Sequence, residues 1–82
     1  MADVQSVAEM LRVMVRLMVD EPDEVVVETV MDGPGVIYRV KVAPTEVGKI
    51  IGQGGRTARS LRIILSSISM SQKVKMNLDI AE

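Results

Sequence analysis

The residues best suited to do chemistry in this 82-residue sequence lie at positions 48–62, in the stretch GKIIGQGGRTARSLR. Glycines stand at positions 48, 52, 54 and 55, and arginines follow at 56, 59 and 62. Because glycine has no side chain, it lets backbone N–H groups come close to an anion. The arginines and the start of a following helix add positive charge beside those groups. The pattern therefore predicts a loop that binds phosphate.

Two familiar phosphate-binding loops do not fit this stretch. A Walker loop needs Lys and then Ser or Thr after its last glycine, but Arg56 follows Gly55. A dinucleotide fingerprint needs G-x-G-x-x-G after a strand, but Thr57 occupies the last position and the preceding residues favour a helix. The pattern that fits is G-x-x-G between two helices, which clamps single-stranded nucleic acid. The alternative is a helix–helix turn that needs glycine only for its positive φ.

The candidate contacts are the loop and the residues beside it. Phosphates would meet the loop, a flanking lysine and the arginines, which recur every three residues along one helix face. Bases would meet an apolar floor of two isoleucines. The predicted site, in chain order, is Lys49, Ile50, Ile51, Gly52, Gln53, Gly54, Gly55, Arg56, Arg59 and Arg62.

The composition argues against catalysis. Histidine and cysteine are absent, which removes the commonest general base, the commonest metal ligand and any disulfide. The available polar groups are Thr45, Glu46, Asp79 and the serines at 66, 67, 69 and 71. These groups show no paired-carboxylate spacing, and helix capping or a solvated helix end accounts for them better. We therefore expect no enzyme activity, no metal site and no cofactor.

The net charge of −1 hides an asymmetry that favours a polyanion as partner. Residues 1–38 carry two basic and eight acidic side chains, whereas residues 39–82 carry eight basic and three acidic ones. Such a split is a hint of a nucleic-acid surface, although it could also serve solubility alone. Tyr38 is the only aromatic residue, so a surface that stacks bases on several aromatic rings is not expected.

Neither a membrane span nor a secretory signal is predicted. No apolar run exceeds three residues, and the start, MADVQSVAEM, has neither a basic segment nor an apolar one. We expect a cytoplasmic protein.

The elements before the loop are a helix and a hairpin. Polar residues spaced three or four apart predict a helix over residues 3–19, with Asp3 as N-cap and Pro22 behind its end. β-Branched and alternating residues predict strands over 25–30 and 36–42, joined by the turn MDGPG.

The elements around and after the loop complete the fold. A short helix, capped by Thr45, leads into the loop, and a longer helix over residues 56–70 follows it. The apolar positions of that longer helix are 58, 61, 64, 65 and 68, and KVKMNLDI at 73–80 alternates like a strand. The order α-β-β-α-α-β predicts one α+β domain over residues 1–82, with three strands carrying the helices on one face.

The stretch IIGQGGRTARSL resembles the signature of the KH domain, and the element order matches the type II, prokaryotic arrangement. The whole chain is similar to the small stand-alone bacterial KH-domain RNA-binding proteins of the KhpA or YlqC-like family. The resemblance implies a G-x-x-G clamp for single-stranded RNA, a role as RNA chaperone or post-transcriptional regulator, and a link to cell division or elongation. It also implies a larger KH-containing partner protein. Members commonly carry a lysine in the loop, where this chain has Gln53 and Gly54.

A second hypothesis is a protein–protein interaction module with a weak or vestigial RNA groove. Its basis is the first predicted helix, whose apolar surface is broader than one sheet face can cover. A homodimer would bury that surface, whereas in a monomer Met10, Met14 and Met18 would only fill the core. The two hypotheses are compatible, because a dimer would carry two RNA grooves.

Overall fold

The computed structural model describes residues 4–81, and over this range its elements follow the predicted order. The α-helices are α1 (Val4–Arg16), α2 (Val47–Ile51) and α3 (Arg56–Gln72). The strands are β1 (Val26–Asp32), β2 (Gly35–Lys41) and β3 (Met76–Ile80). Short 3₁₀ turns at Pro22–Glu24, Pro44–Glu46 and Gln53–Gly55 connect them. The predicted α+β class is confirmed.

The strands of the described chain form one mixed sheet in the order β1-β2-β3. β1 and β2 are antiparallel hairpin partners, and β3 pairs in parallel with β2. In the register, Thr29 lies opposite Tyr38 and Tyr38 opposite Leu78, so these side chains share one face. The helices cover that face. Because β3 is the last strand in the order, it forms an edge of the sheet, and it lies beside α3.

The core lies between this face of the sheet and the helices. α1 buries Val7, Ala8, Leu11 and Val15, which lie on one side of a 3.6-residue helix. The sole aromatic ring, Tyr38, is fully buried, and its hydroxyl donates a hydrogen bond to the Val4 carbonyl at 3.0 Å. The three methionines of α1 and its C-terminal turn, Met10, Met14 and Met18, are partly buried against this core.

Helix α1 ends earlier than predicted. The apolar pattern continues to Val19, but the helix stops at Arg16 and residues 17–18 form a turn. The chain then turns because the N–H groups of Asp20 and Glu21 donate hydrogen bonds to the buried carboxylate of Glu46, at 2.8 and 3.1 Å. As a result Leu17 is 84% exposed. The predicted N-cap, Asp3, lies outside the described residues.

The predicted cap of the short helix is also wrong. Thr45 lies inside the 3₁₀ turn Pro44–Glu46, and no side chain caps that turn or α2. Glu46 precedes α2, but its carboxylate binds the N–H groups of the chain after α1. The start of α2 is therefore held by a tertiary contact instead of a local cap.

The C-terminal end of α3 lies two residues beyond the predicted end. Lys73 closes the helix in the left-handed conformation, with φ 59° and ψ 34°. Ser69 Oγ donates a hydrogen bond to the Val74 carbonyl at 2.6 Å, so the residues after the helix are folded back onto it. β3 consequently begins at Met76 and not at Lys73. Ile64, predicted as a core position, is 37% exposed, because Ala58, Leu61 and Leu65 form the buried side of α3.

Candidate nucleic-acid interface

The glycine loop, residues 52–55, joins α2 to α3 through a backbone that only glycine adopts readily. Gly52 has φ 78° and ψ 167°, while Gly54 and Gly55 have φ 66° and 77°. The Gly52 N–H donates to the Gly48 carbonyl at 2.8 Å, and the Gly55 N–H donates to the Gly52 carbonyl at 3.0 Å. These two bonds close the loop on itself, so the glycines are required first by its geometry.

The glycines of the loop differ in what surrounds them. A Cβ atom at Gly52 would lie 2.8 Å from the backbone nitrogen and Cβ of Thr57, in the first turn of α3. Such an atom has no room, because Thr57 packs directly on Gly52. A Cβ atom at Gly54 or Gly55 would have nothing within 4 Å. The outer half of the loop is therefore open to a ligand, and its inner half is closed.

Beside the loop lies a groove of about 620 Å³, which we name the α3–β3 groove. Its helical wall is formed by Ile51 at the end of α2 and by residues of the loop and of α3, and its other wall by the last residues of the edge strand. The lining residues are Ile51, Gly55, Ala58, Arg59, Arg62, Asp79 and Ile80. A smaller hollow of about 210 Å³ between α3 and β3 is also lined by Arg62.

The structure brings four predicted site residues together in this groove: Ile51, Gly55, Arg59 and Arg62. Gln53 and Gly54 are exposed in the loop beside it, Gly52 closes the inner side of the loop, and Arg56 is exposed as the first residue of α3. Apart from Gly52, the predicted contacts thus lie in the groove or on the loop and helix start next to its lining residues, with two exceptions.

The exceptions are Ile50 and Lys49. Ile50 is fully buried in the core, so of the two isoleucines predicted as the apolar floor only Ile51 lines the groove. Lys49 is exposed, and its Nζ lies 2.5 Å from Asp20 Oδ2. The hydrogen bond to Asp20 raises the pKa of Lys49. Lys49 thus faces the chain after α1 and does not line the groove.

The arginines of α3 differ from the other cations around them. Arg39, Lys41 and Lys49 each form an ion pair with an acidic side chain, at 3.0, 2.7 and 2.5 Å. Within residues 4–81, Arg56, Arg59 and Arg62 have no such partner. Their charge is therefore available to an anion, and it lies beside the N-terminal end of a 17-residue helix, whose first N–H groups are positively polarised.

Sequence reasoning missed the contribution of β3. Asp79 and Ile80 line the groove because the parallel pairing with β2 sets the edge strand beside α3. Arg39 Nε donates a hydrogen bond to Asp79 Oδ2 at 3.0 Å across the two strands. No motif marks these residues, and in sequence they lie more than twenty positions after the loop.

The described residues contain no group of three or more Asp, Glu, His or Cys side chains placed to hold a metal ion. Likewise, none of the helices within residues 4–81 is long and apolar enough to cross a membrane.

A family model described as "KhpA/KhpB, KH domain" matches residues 8–80. The chain belongs to this KH-domain family. Membership makes it a KH-domain protein and not an enzyme, and its α-β-β-α-α-β order with a mixed sheet is the type II form of that fold.

Individual relatives are similar over most of the chain. One is the RNA-binding protein KhpA of Chlamydia trachomatis, which is 39% identical over 90% of this chain and 95% of its own length. The protein of the same name from Caldanaerobacter subterraneus is 31% identical over 88% of this chain and 96% of its own length. That of Halalkalibacterium halodurans is 38% identical over 79% of this chain and 86% of its own length.

Proposed function

We propose that this protein binds single-stranded RNA in the α3–β3 groove. The sugar-phosphate backbone would lie on the glycine loop and the first turn of α3, while bases would enter the groove against Ile51 and Ile80. One observation carries this proposal: Gly55 of the open half of the loop lines the same groove as Arg59 and Arg62, which have no ion-pair partner within residues 4–81. The names of the relatives, which are RNA-binding proteins, support it independently.

Phosphate binding rests on proximity and charge. Gly54 and Gly55 leave space for a phosphate to approach the backbone, and Arg56 and Arg59 are close enough along the chain to join it. The loop contains no lysine, and ordering a loop rich in glycine costs conformational entropy. We therefore expect weak binding that depends strongly on salt, with a slope of about −2 in log–log form if three phosphates are neutralised.

The biological role follows as part of the same proposal. Weak binding to RNA backbone suits an RNA chaperone or post-transcriptional regulator acting in the bacterial cytoplasm, and a link to cell shape would follow from the RNAs it acts on. We further propose that the KH domain occupies the entire chain of 82 residues. Because one family model describes both KhpA and KhpB, a larger KH-containing protein is the partner we propose beside a second copy of this chain.

The test is fluorescence anisotropy with a labelled unstructured RNA of about ten nucleotides over a series of salt concentrations. The variant carries Gln53→Asp and Gly54→Asp. Both positions are exposed, and aspartate tolerates the left-handed conformation of Gly54 better than most residues, so we expect the variant to fold. Affinity should fall by at least about tenfold, because two carboxylates would face the phosphates.

A matched control is available in the β1–β2 turn. Gly33 also has a positive φ of 59° and open space, so Gly33→Asp with Pro34→Asp adds the same two charges in similar geometry. This turn lies at the opposite end of β2 from the groove, about 16 Å away along the strand. Equal loss of affinity in both variants, with circular dichroism showing both folded, would contradict the loop as the site.

A second candidate function, a protein–protein interaction module, is favoured by the apolar side chains exposed on the helical layer. Leu17 beyond the end of α1 and Ile63 on α3 are 84% and 60% exposed. Val13, Arg16, Leu17 and Pro22 line a shallow depression of about 340 Å³. If neither the wild type nor the variant binds RNA at low salt, this candidate replaces the first.

A further inference from the structure

We propose that Asp79 selects the bases that enter the α3–β3 groove, favouring bases that carry an exocyclic amino group, namely cytosine, adenine and guanine, over uracil. The inference rests on the proposed RNA-binding function and adds to it a preference among RNA sequences. It comes from the wall of the groove that belongs to β3 and not from the glycine loop.

Asp79 is the one acidic residue among those that line this groove; the charged residues beside it there are Arg59 and Arg62. Its carboxylate is paired with Arg39 and gives phosphate no attraction, whereas the loop and the unpaired arginines on the facing wall attract it. A strand of RNA bound here is therefore oriented, with its backbone along α3 and its bases toward β3. Asp79 and Ile80 would then meet base edges and not phosphates.

The carboxylate is held in place by the sheet. Asp79 and Arg39 are register partners on β3 and β2, and Arg39 Nε donates to Asp79 Oδ2 at 3.0 Å. Within residues 4–81, the Asp79 carboxylate accepts one hydrogen bond, the one from Arg39. Its other oxygen, Oδ1, is therefore left for a ligand. A fixed oxygen at the rim of a groove discriminates better than a mobile one, because less rotamer entropy is lost on binding.

The chemistry of a carboxylate then sets the preference. An ionised carboxylate only accepts hydrogen bonds, and the amino group of cytosine or adenine is a donor that it can meet directly. Guanine offers an amino group beside a ring N–H. Uracil presents a single ring N–H between two carbonyl oxygens, and those oxygens repel the carboxylate. We expect cytidine decamers to bind about five- to tenfold more tightly than uridine decamers. This ratio lies in the lower part of the discrimination between bases that a direct side-chain contact provides.

The experiment removes the two partners of this contact one at a time. Anisotropy at low salt and neutral pH compares decamers of cytidine, of uridine and of 2-pyrimidinone riboside, which is cytidine without its amino group. The protein variants are Asp79→Ala, which removes the acceptor oxygens, and the control Glu28→Ala. Glu28 lies on the same outer face of the sheet, two strands and about 10 Å from Asp79, so its neutralisation changes the net charge equally outside the groove.

The expected result is a specific coupling. For the wild type and Glu28→Ala, loss of the amino group should lower affinity about five- to tenfold, whereas for Asp79→Ala it should change affinity less than twofold. Equal affinity of the wild type for all three decamers, or the same loss in Asp79→Ala as in the wild type, would overturn this inference and leave RNA binding intact. Failure of the wild type to bind any decamer would overturn RNA binding and the inference together.

Discussion

At the scale of single residues, the glycines of this chain serve different purposes that their spacing does not reveal. Gly48 accepts a hydrogen bond within the helical turn that ends α2, Gly52 packs against Thr57, and Gly54 and Gly55 turn the chain in open space. Only Gly52 combines a backbone conformation that is almost exclusive to glycine with a contact that excludes a side chain. The first glycine of the motif is therefore structural, and the last two leave room for the ligand.

This difference predicts unequal effects of the same substitution. Gly52→Ala should lower the free energy of unfolding by more than about 3 kcal/mol, because strain and a clash with Thr57 add together. Gly54→Ala should lower it by about 1–2 kcal/mol, because only the left-handed conformation opposes it. Urea denaturation of both variants measures the two values. Losses of equal size would show that Thr57 does not restrict Gly52.

At the scale of elements, the position of α2 depends on a carboxylate that is remote in sequence from the residues it binds. Glu46 is 4% exposed and accepts hydrogen bonds from the N–H groups of Asp20 and Glu21. Lys49, one turn later, pairs with Asp20 at the surface. α2 has only five residues, too few to be stable alone, so these contacts and the burial of Ile50 in the core hold it in front of the loop.

Glu46→Gln should therefore destabilise the protein although the side chain keeps its size. A charged acceptor of two backbone N–H groups is replaced by a neutral one, and an amide N–H₂ is placed where only acceptors are useful. We expect the free energy of unfolding to fall by about 1–3 kcal/mol, measured as a lower urea midpoint at unchanged slope.

The matched control for this substitution is Glu24→Gln, which removes the same charge at an exposed position in the 3₁₀ turn after α1. Its urea midpoint should stay close to that of the wild type. A similar shift in both variants would show that net charge, and not the buried contact, is responsible.

At the scale of the whole molecule, two surfaces of the part described by the structure matter most for its partners, because neither ion pairs nor apolar burial satisfies them. One is the arginine side of the α3–β3 groove, which we assign to RNA. The other is the apolar part of the helical layer, where Leu17 and Ile63 are exposed while Met10 and Met14 are partly buried against the core. Two copies joined through this second surface would present two RNA grooves and gain avidity.

Self-association is accordingly predicted at micromolar concentration. Light scattering should give a mass near twice the chain mass of 9.0 kDa, and Leu17→Lys with Ile63→Lys should return it to 9.0 kDa. Met31→Lys is the control, because Met31 is also exposed, at 68%, but lies on β1. A wild-type mass of 9.0 kDa, or dissociation by the control alone, would contradict a dimer through the helical layer.

The sequence by itself determined the element order, the fold class and the loop, since apolar periodicity, β-branching and glycine spacing are local properties that short segments express directly. It also identified the arginines that line the groove.

The tertiary structure alone decided where α1 ends, that Ile50 is core, that Lys49 pairs with Asp20, and that Asp79 forms the far wall of the groove. Each of these depends on a contact between segments far apart in the chain. No local pattern contains such a contact, because parallel pairing of β3 with β2 and the burial of Glu46 arise only when the whole core is assembled.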